Sequence, residues 1–199
     1  MKTIFLIFAA VLMIISAYPY IRDILRGKTK PNIVSWITWT LLSGIATAAA
    51  ITAGEYAAAS FTAAVAVETI LIVILGVRRG YVKYGSFEII CQVGAVIGII
   101  LWQVFDSPAV GVVATVVVDL IGALPTVVHS WRKPGEETAS TYVLAAIAGC
   151  FAVAALPDYN WVSLPYTLYI LVIDVVFAAI IIGRRTGIRD RTKDGMLAT

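Results

Sequence analysis

Long apolar runs alternate with short polar breaks along the whole chain. Seven runs stand out: Ile4–Ile21, Ile33–Ala53, Tyr56–Val77, Phe87–Phe105, Ala109–Val128, Ala139–Leu156 and Val162–Gly183. Each is close to the roughly 17–25 residues that a helix needs to cross a bilayer. The breaks between them are Arg22–Asn32, Gly54–Glu55, Arg78–Ser86, Asp106–Pro108, His129–Thr138 and Pro157–Trp161. The pattern predicts an all-α integral membrane protein with seven transmembrane helices. The sixth run is short and rich in Ala.

Composition sharpens this. Hydrophobic residues make up 60% of the 199 positions and charged residues 14%, whereas soluble domains carry about 45–50% and about 25%. That excludes an ordinary soluble enzyme, a disordered chain and a nucleic-acid binder. Cys91 and Cys150 lie in apolar runs with no metal-ligand spacing, and no metal or cofactor is expected. With seven spans, Lys2 is the single basic residue on the side of the N-terminus, and the other fourteen of the 15 lie opposite. Positive loops mark the cytoplasm, so the expected orientation in a plasma (inner) membrane is N-terminus outside and C-terminus cytoplasmic. Residues 1–18 also resemble a secretory signal peptide, but the basic loop Arg22–Lys30 outweighs Lys2 and argues for a retained span.

An offset of 106 positions aligns several features without gaps. Pro19 falls on Pro125, Ile15 and Ala17 on Ile121 and Ala123, Ser35-Trp36 on Thr141-Tyr142, Glu68 on Asp174, and Arg78-Arg79 on Arg184-Arg185. This divides the chain into a three-helix repeat (1–79), a linker helix (80–107), a second three-helix repeat (108–186) and a basic cytoplasmic tail (187–199). One added span between two three-span units makes the repeats parallel, a known transporter plan. The 3+1+3 arrangement, with Tyr18-Pro19-Tyr20 and Leu124-Pro125-Thr126 each followed by a basic loop and another span, resembles the PQ-loop/SWEET (MtN3-like) superfamily, as a divergent member. The resemblance implies alternating access around a central site. Tyr20 and Thr126 replace the Gln of the Pro-Gln pair, the second helix of each repeat lacks an interior Pro, and Glu68 and Asp174 occupy positions comparable to the sugar-facing Asn residues of SWEETs. These departures argue against a sugar as the substrate.

Three acids lie deep in the runs: Glu68, Asp119 and Asp174. An ionised residue at a helix centre costs about 2.5–3.5 kcal/mol on insertion scales, so three cost roughly 7–10 kcal/mol. No Lys or Arg lies in any span interior. The remedies are protonation, a water-filled cavity or a cationic ligand; the bland alternative is protonated acids hydrogen-bonded between helices. Glu68 and Asp174, with Asp119 as a weaker partner, are therefore expected to bind a cationic or zwitterionic solute or a proton. Thr167 shares a helix face with Asp174, and Ser43 lies on a polar stripe with Trp36, Thr40 and Thr47. Trp39 is placed to close one end of a cavity. Trp36, Trp131 and Trp161 read as interface anchors, and His129 and Glu88 as interfacial. Pro19 and Pro125 are candidate inner-gate hinges, against simple helix termination.

The expected function is a membrane transporter moving a small solute by alternating access, with possible partners limited to that solute, a proton and the lipid bilayer. A monomer suffices, though a homo-oligomer is compatible. The alternatives are a non-transporting receptor, trafficking or assembly protein on the same plan, and a sugar uniporter. No enzyme is expected: the seventh run lacks the Lys of a retinal protein, the one His sits at a run's edge, and HExxH and GxSxG are absent.

Overall fold

The structure, a computed structural model, describes residues 1–77 and 107–197, with Ser86, Ile89, Ile90, Val93, Gly94, Val96, Ile97, Ile100 and Val104 between them. Among the described residues the chain is all-helical. The helices are α1 (Lys2–Leu25), α2 (Ile33–Thr52), α3 (Tyr56–Gly76), α4 (Pro108–Arg132), α5 (Ala139–Ala155) and α6 (Leu164–Leu197), with a 3₁₀ turn at Pro134–Glu136. Five of the six are long and apolar enough to cross a membrane. The exception is α5, whose 17 residues reach only about 25 Å at the helical rise, against a hydrocarbon core of about 30 Å. Most of the expected linker helix, together with Arg78, Arg79 and Glu88, lies outside the described residues.

Local chemistry explains the stops. Gly27 and Gly54 carry φ of 70° and 76°, the left-handed conformation that a Cβ disfavours. Each ends its helix with the same pair of bonds: Gly27 N–H donates to Ile24 O and Lys28 N–H to Asp23 O, while Gly54 N–H donates to Ile51 O and Glu55 N–H to Ala50 O. These bonds satisfy carbonyls that the helix end leaves open. Pro19 and Pro125 do not terminate their helices, since both lie inside continuous α1 and α4. The α6 helix runs past the expected end at Gly183 to Leu197. Residues 184–197 contain no proline, so an already nucleated helix propagates through them.

The bundle is inverted relative to a soluble protein. Ile4, Ile7, Val11, Ile14 and Ile15 of α1, Val117, Leu120 and Leu124 of α4, and Leu168, Val172 and Val175 of α6 are all exposed. Ser16, Ser43, Thr62, Glu68, Thr115, Asp119, Thr141 and Thr167 are buried. Contiguous apolar surface of this kind requires an apolar surrounding, which makes the fold compatible with a membrane protein.

The helices pair in a pattern that survives exchange. α3 packs against both α1 and α2, and α6 packs against both α4 and α5. Across these triples, α1 lies on α5 and α2 on α4. Replacing α1, α2 and α3 by α4, α5 and α6 leaves every one of these pairings in place. At the end that carries most of the basic residues, Lys30 N–H donates to Glu136 O and the Lys30 ammonium pairs with the Glu136 carboxylate at 3.4 Å. At the opposite end the Asn160 side-chain amide donates to the Glu55 carboxylate.

Small residues set the spacing of these contacts. A Cβ built on Gly149 would stand 2.9 Å from Leu171 Cβ and 3.0 Å from its Cα, whereas one on Gly44 meets nothing within 4 Å. Gly149→Ala is expected to force α5 from α6 and lower stability by about 1–3 kcal/mol, the range for overpacking. Gly44→Ala is expected to cause no loss. Thermal unfolding of the two variants in detergent measures the difference.

Candidate functional site

The acids of α3, α4 and α6 meet. Glu68, Asp119 and Asp174 line one cavity of about 50 Å³ between the helix triples, together with Trp39. That space accommodates a few water molecules and is far below the roughly 300–1,000 Å³ of a typical ligand pocket. Toward the basic end its wall is aromatic, formed by Trp36, Tyr142 and Phe177; Met13, the offset partner of Asp119, and Val65, Ile170 and Ile173 add apolar lining.

The three carboxyl groups differ in what they touch. Glu68, in the buried middle of α3, accepts a bond from Ser16 Oγ at 2.9 Å. Asp119 accepts two, from Tyr169 OH at 2.9 Å and Tyr166 OH at 3.2 Å, with the Trp39 indole beside it. Asp174 is part-buried. It has no hydrogen-bond partner among the described residues and lies within electrostatic reach of both Glu68 and Asp119. The ion pairs among the described residues are Arg22–Asp23 and the pairs of Glu136 with Lys30, His129 and Lys133. None offsets the cavity acids. No group of three potential metal ligands occurs among the described residues either.

Such a site attracts positive charge. Carboxyl groups in a low-dielectric enclosure without a counter-charge either hold protons or take a cation. The walls suit an organic cation, because an ammonium group is drawn to aromatic faces. Trp36 and Trp39 meet edge-on with centroids 4.9 Å apart, and Tyr142 and Phe177 stack at 4.8 Å. Thr141, also lining the cavity, keeps its buried Oγ1 without a partner.

Not every expected residue reaches this space. Ser43 Oγ donates to Trp39 O at 2.7 Å and Thr167 Oγ1 to Ser163 O at 2.8 Å. Both hydroxyls are spent on their own helices, and neither residue is part of the cavity lining. Trp36 was expected at an interface; it is instead buried against the cavity, with its indole N–H donating to Tyr20 OH. Trp131 and Trp161 are exposed, with the Arg184 guanidinium 4.5 Å above the Trp131 ring.

Hydrogen bonds join the two helix triples at both ends of the bundle. At the basic end, Glu137 sits between the 3₁₀ turn and α5, almost fully buried. Its Oε2 accepts from Tyr20 OH at 2.9 Å and from Tyr142 OH at 3.2 Å. The Arg185 guanidinium caps the backbone carbonyls of Pro134 and Glu137. Thr29 and Thr138 share a hydroxyl bond of 2.6 Å, and Thr138 also donates to Asp23. Burial pushes the Glu137 carboxyl up to about 7, with the tyrosine hydroxyls and the Arg185 charge opposing that rise. At the opposite end, Lys2 Nζ donates to Leu156 O and Pro157 O, near the Glu55–Asn160 bond.

Sequence reasoning missed Glu137, Tyr166, Tyr169 and the role of Tyr20. Glu137 sits in a polar break that reads as solvated loop. The one available signal was position: Tyr142 is the offset partner of Trp36, and Tyr20 directly follows Pro19. No protein-family profile, no curated protein and no solved structure matches the chain.

Removing one partner of a buried polar pair costs more than removing both. Ser16→Ala, which takes from Glu68 its one hydrogen-bond donor among the described residues, is expected to cost about 1–3 kcal/mol, most of it recovered when Glu68→Met is added. A double-mutant cycle on thermal unfolding checks this; simple additivity would place the two groups out of contact.

Proposed function

We propose that the chain is a membrane transporter that moves a small cationic or zwitterionic solute by alternating access between two three-helix units, with proton coupling. The observation that carries this reading is the cavity between the triples. It brings Glu68, Asp119 and Asp174 together with no basic side chain among the described residues to pair them, behind an exterior of exposed leucine, isoleucine and valine. An evolved cost of that size suits a site that binds charge.

The duplication supports the same reading. Helix pairings persist under exchange of the triples. Lys30 and Glu136, 106 positions apart, touch at one end, and Glu55 and Asn160, 105 apart, touch at the other. Equivalent positions meet only near a two-fold axis, so these contacts favour an axis running along the bundle. Parallel repeats around such an axis, with seven spans and a linker helix between the units, are the plan that the PQ-loop/SWEET resemblance implies. In this reading Glu68 and Asp174 face each other across the axis, and Asp119 relays a proton through the hydroxyls of Tyr166 and Tyr169. The basic end lies in the cytoplasm, in accord with the positive-inside rule.

A cavity of about 50 Å³, with the helix triples joined at both ends of the bundle, has too little room for an organic solute, and in this reading solute entry requires one mouth to part. Pro19 and Pro125, inside continuous helices near the basic end, lack the amide that would stiffen the turn and serve as hinges. The same closure favours a second reading, a ligand-sensing or assembly protein on this plan; flux separates the two.

Glu68→Gln is expected to abolish or uncouple uptake while leaving expression intact, and Asp174→Asn to produce a similar defect. Uptake of an organic ammonium ion into proteoliposomes, with and without a pH gradient, measures both; unchanged pH-driven uptake removes these residues from the mechanism. Pro125→Ala is expected to change the transport rate more than solute affinity, and an equal loss of binding would contradict a hinge.

A further inference from the structure

We propose that Glu137 is a second proton-binding site, set in the basic mouth, and that loss of its proton opens that mouth. The site is distinct from the three central acids: it lies outside the helices, between the 3₁₀ turn and α5.

Geometry carries the argument. Glu137 Oε2 takes both tyrosine hydroxyls, Tyr20 from α1 and Tyr142 from α5. The Tyr20 bond therefore ties one helix triple to the other. Trp36 of α2 steadies it by donating to Tyr20 OH at 3.3 Å. Glu137 Oε1 is buried and has no partner. The nearby cation, Arg185 of α6, directs its N–H groups to the carbonyls of Pro134 and Glu137, not to the carboxylate. Glu136 adds a like charge on the other side, itself held by Lys30, Lys133 and His129, and Asp23 of α1 reaches the adjacent Thr138. An ionised carboxylate with one bare oxygen in such a place is strongly disfavoured; a protonated one is not. Opening the mouth hydrates the group and removes the penalty.

The sign follows from linkage. With the mouth closed, Glu137 holds its proton up to about 7, against 4.5 for an ordinary glutamate. The proton's contribution to closure is thus complete below the ordinary carboxylate range and is lost as pH rises through about 7. Between those limits each pH unit moves the open-to-closed ratio by up to about tenfold. Opening releases the proton to the side on which the mouth opens. Tyr142 is shared, binding Glu137 and lining the central cavity, so the latch and the solute site move together. This deepens the transporter reading and rests on it for its consequence, while the pH response of the mouth is testable without flux.

The test uses the full chain in lipid nanodiscs. Spin labels replace the exposed Lys28 and Arg132, as Lys28→Cys and Arg132→Cys with Cys91→Ser and Cys150→Ser, and their separation is measured across pH. A short distance is expected at low pH, giving way to a longer one as pH rises from the ordinary carboxylate range toward about 7. Glu137→Gln is expected to hold the short distance throughout. Tyr142→Phe removes a donor to the ionised form and is expected to move the midpoint to higher pH; it also carries the test if Glu137→Gln fails to fold. Distances that ignore pH in the parent, or a transition that persists unchanged in Glu137→Gln, would overturn the proposal. A titrating mouth without solute flux would instead sink the transporter reading and leave the latch standing.

Discussion

Acidic side chains enclosed among helices, with no basic side chain among the described residues to answer them, set the terms for the rest of this molecule. Glu68, Asp119 and Asp174 share a small cavity, and the ion pairs among the described residues all lie elsewhere. Their desolvation is tolerable only if the surrounding helices supply hydroxyl donors, water or a bound positive charge. The bundle supplies the first from Ser16, Tyr166 and Tyr169. It leaves Asp174 and Thr141 Oγ1 open toward the cavity, which is where a ligand fits the chemistry.

The helix arrangement follows from the same constraint. Polar groups gather along the interior because the exterior presents Ile, Val and Leu, and an apolar surrounding offers polar atoms no partner. Small residues allow the helices to approach closely enough to shield the interior, as where Gly149 meets the backbone of Leu171. Closure at the two ends is made from unlike materials. The basic end uses tyrosines around a buried glutamate, and the opposite end uses a lysine on backbone carbonyls and an amide on Glu55. The first holds a buried carboxyl group, Glu137, whose ionisation is opposed by its burial, and it is there that the pH-dependent opening is proposed.

Much of this was readable from residue order. Run length and polar breaks placed α1 to α5 within a few residues, because a bilayer-scale apolar run admits few alternatives to helix. Glu68 and Asp174, which the offset of 106 links, do line one cavity; Asp119 joins them from a position whose offset partner is Met13. Other features were not legible. Whether Ser43 and Thr167 face the cavity or their own helix depends on a side-chain torsion, and Ser and Thr bond readily to a preceding carbonyl. Trp36 is amphipathic, so sequence alone does not separate an interface position from a buried one that finds a hydroxyl partner. Glu137 was hidden because a break of polar residues normally stays hydrated; only the folding of the 3₁₀ turn over Tyr20 and Tyr142 buries it. The extension of α6 past Gly183 was missed because the end of an apolar run marks where hydrophobicity stops, not where a helix must.

The central claim is that the three acids share one chamber that accepts positive charge. Infrared difference spectroscopy of the carboxyl bands in light and heavy water, with and without an organic ammonium ion, addresses it directly. Assignment comes from Glu68→Gln, Asp119→Asn and Asp174→Asn in turn. The account predicts carboxyl signals that exchange readily, shift together when the cation is added, and perturb one another when any one acid is removed. Three independent signals that exchange slowly and ignore the cation would contradict it.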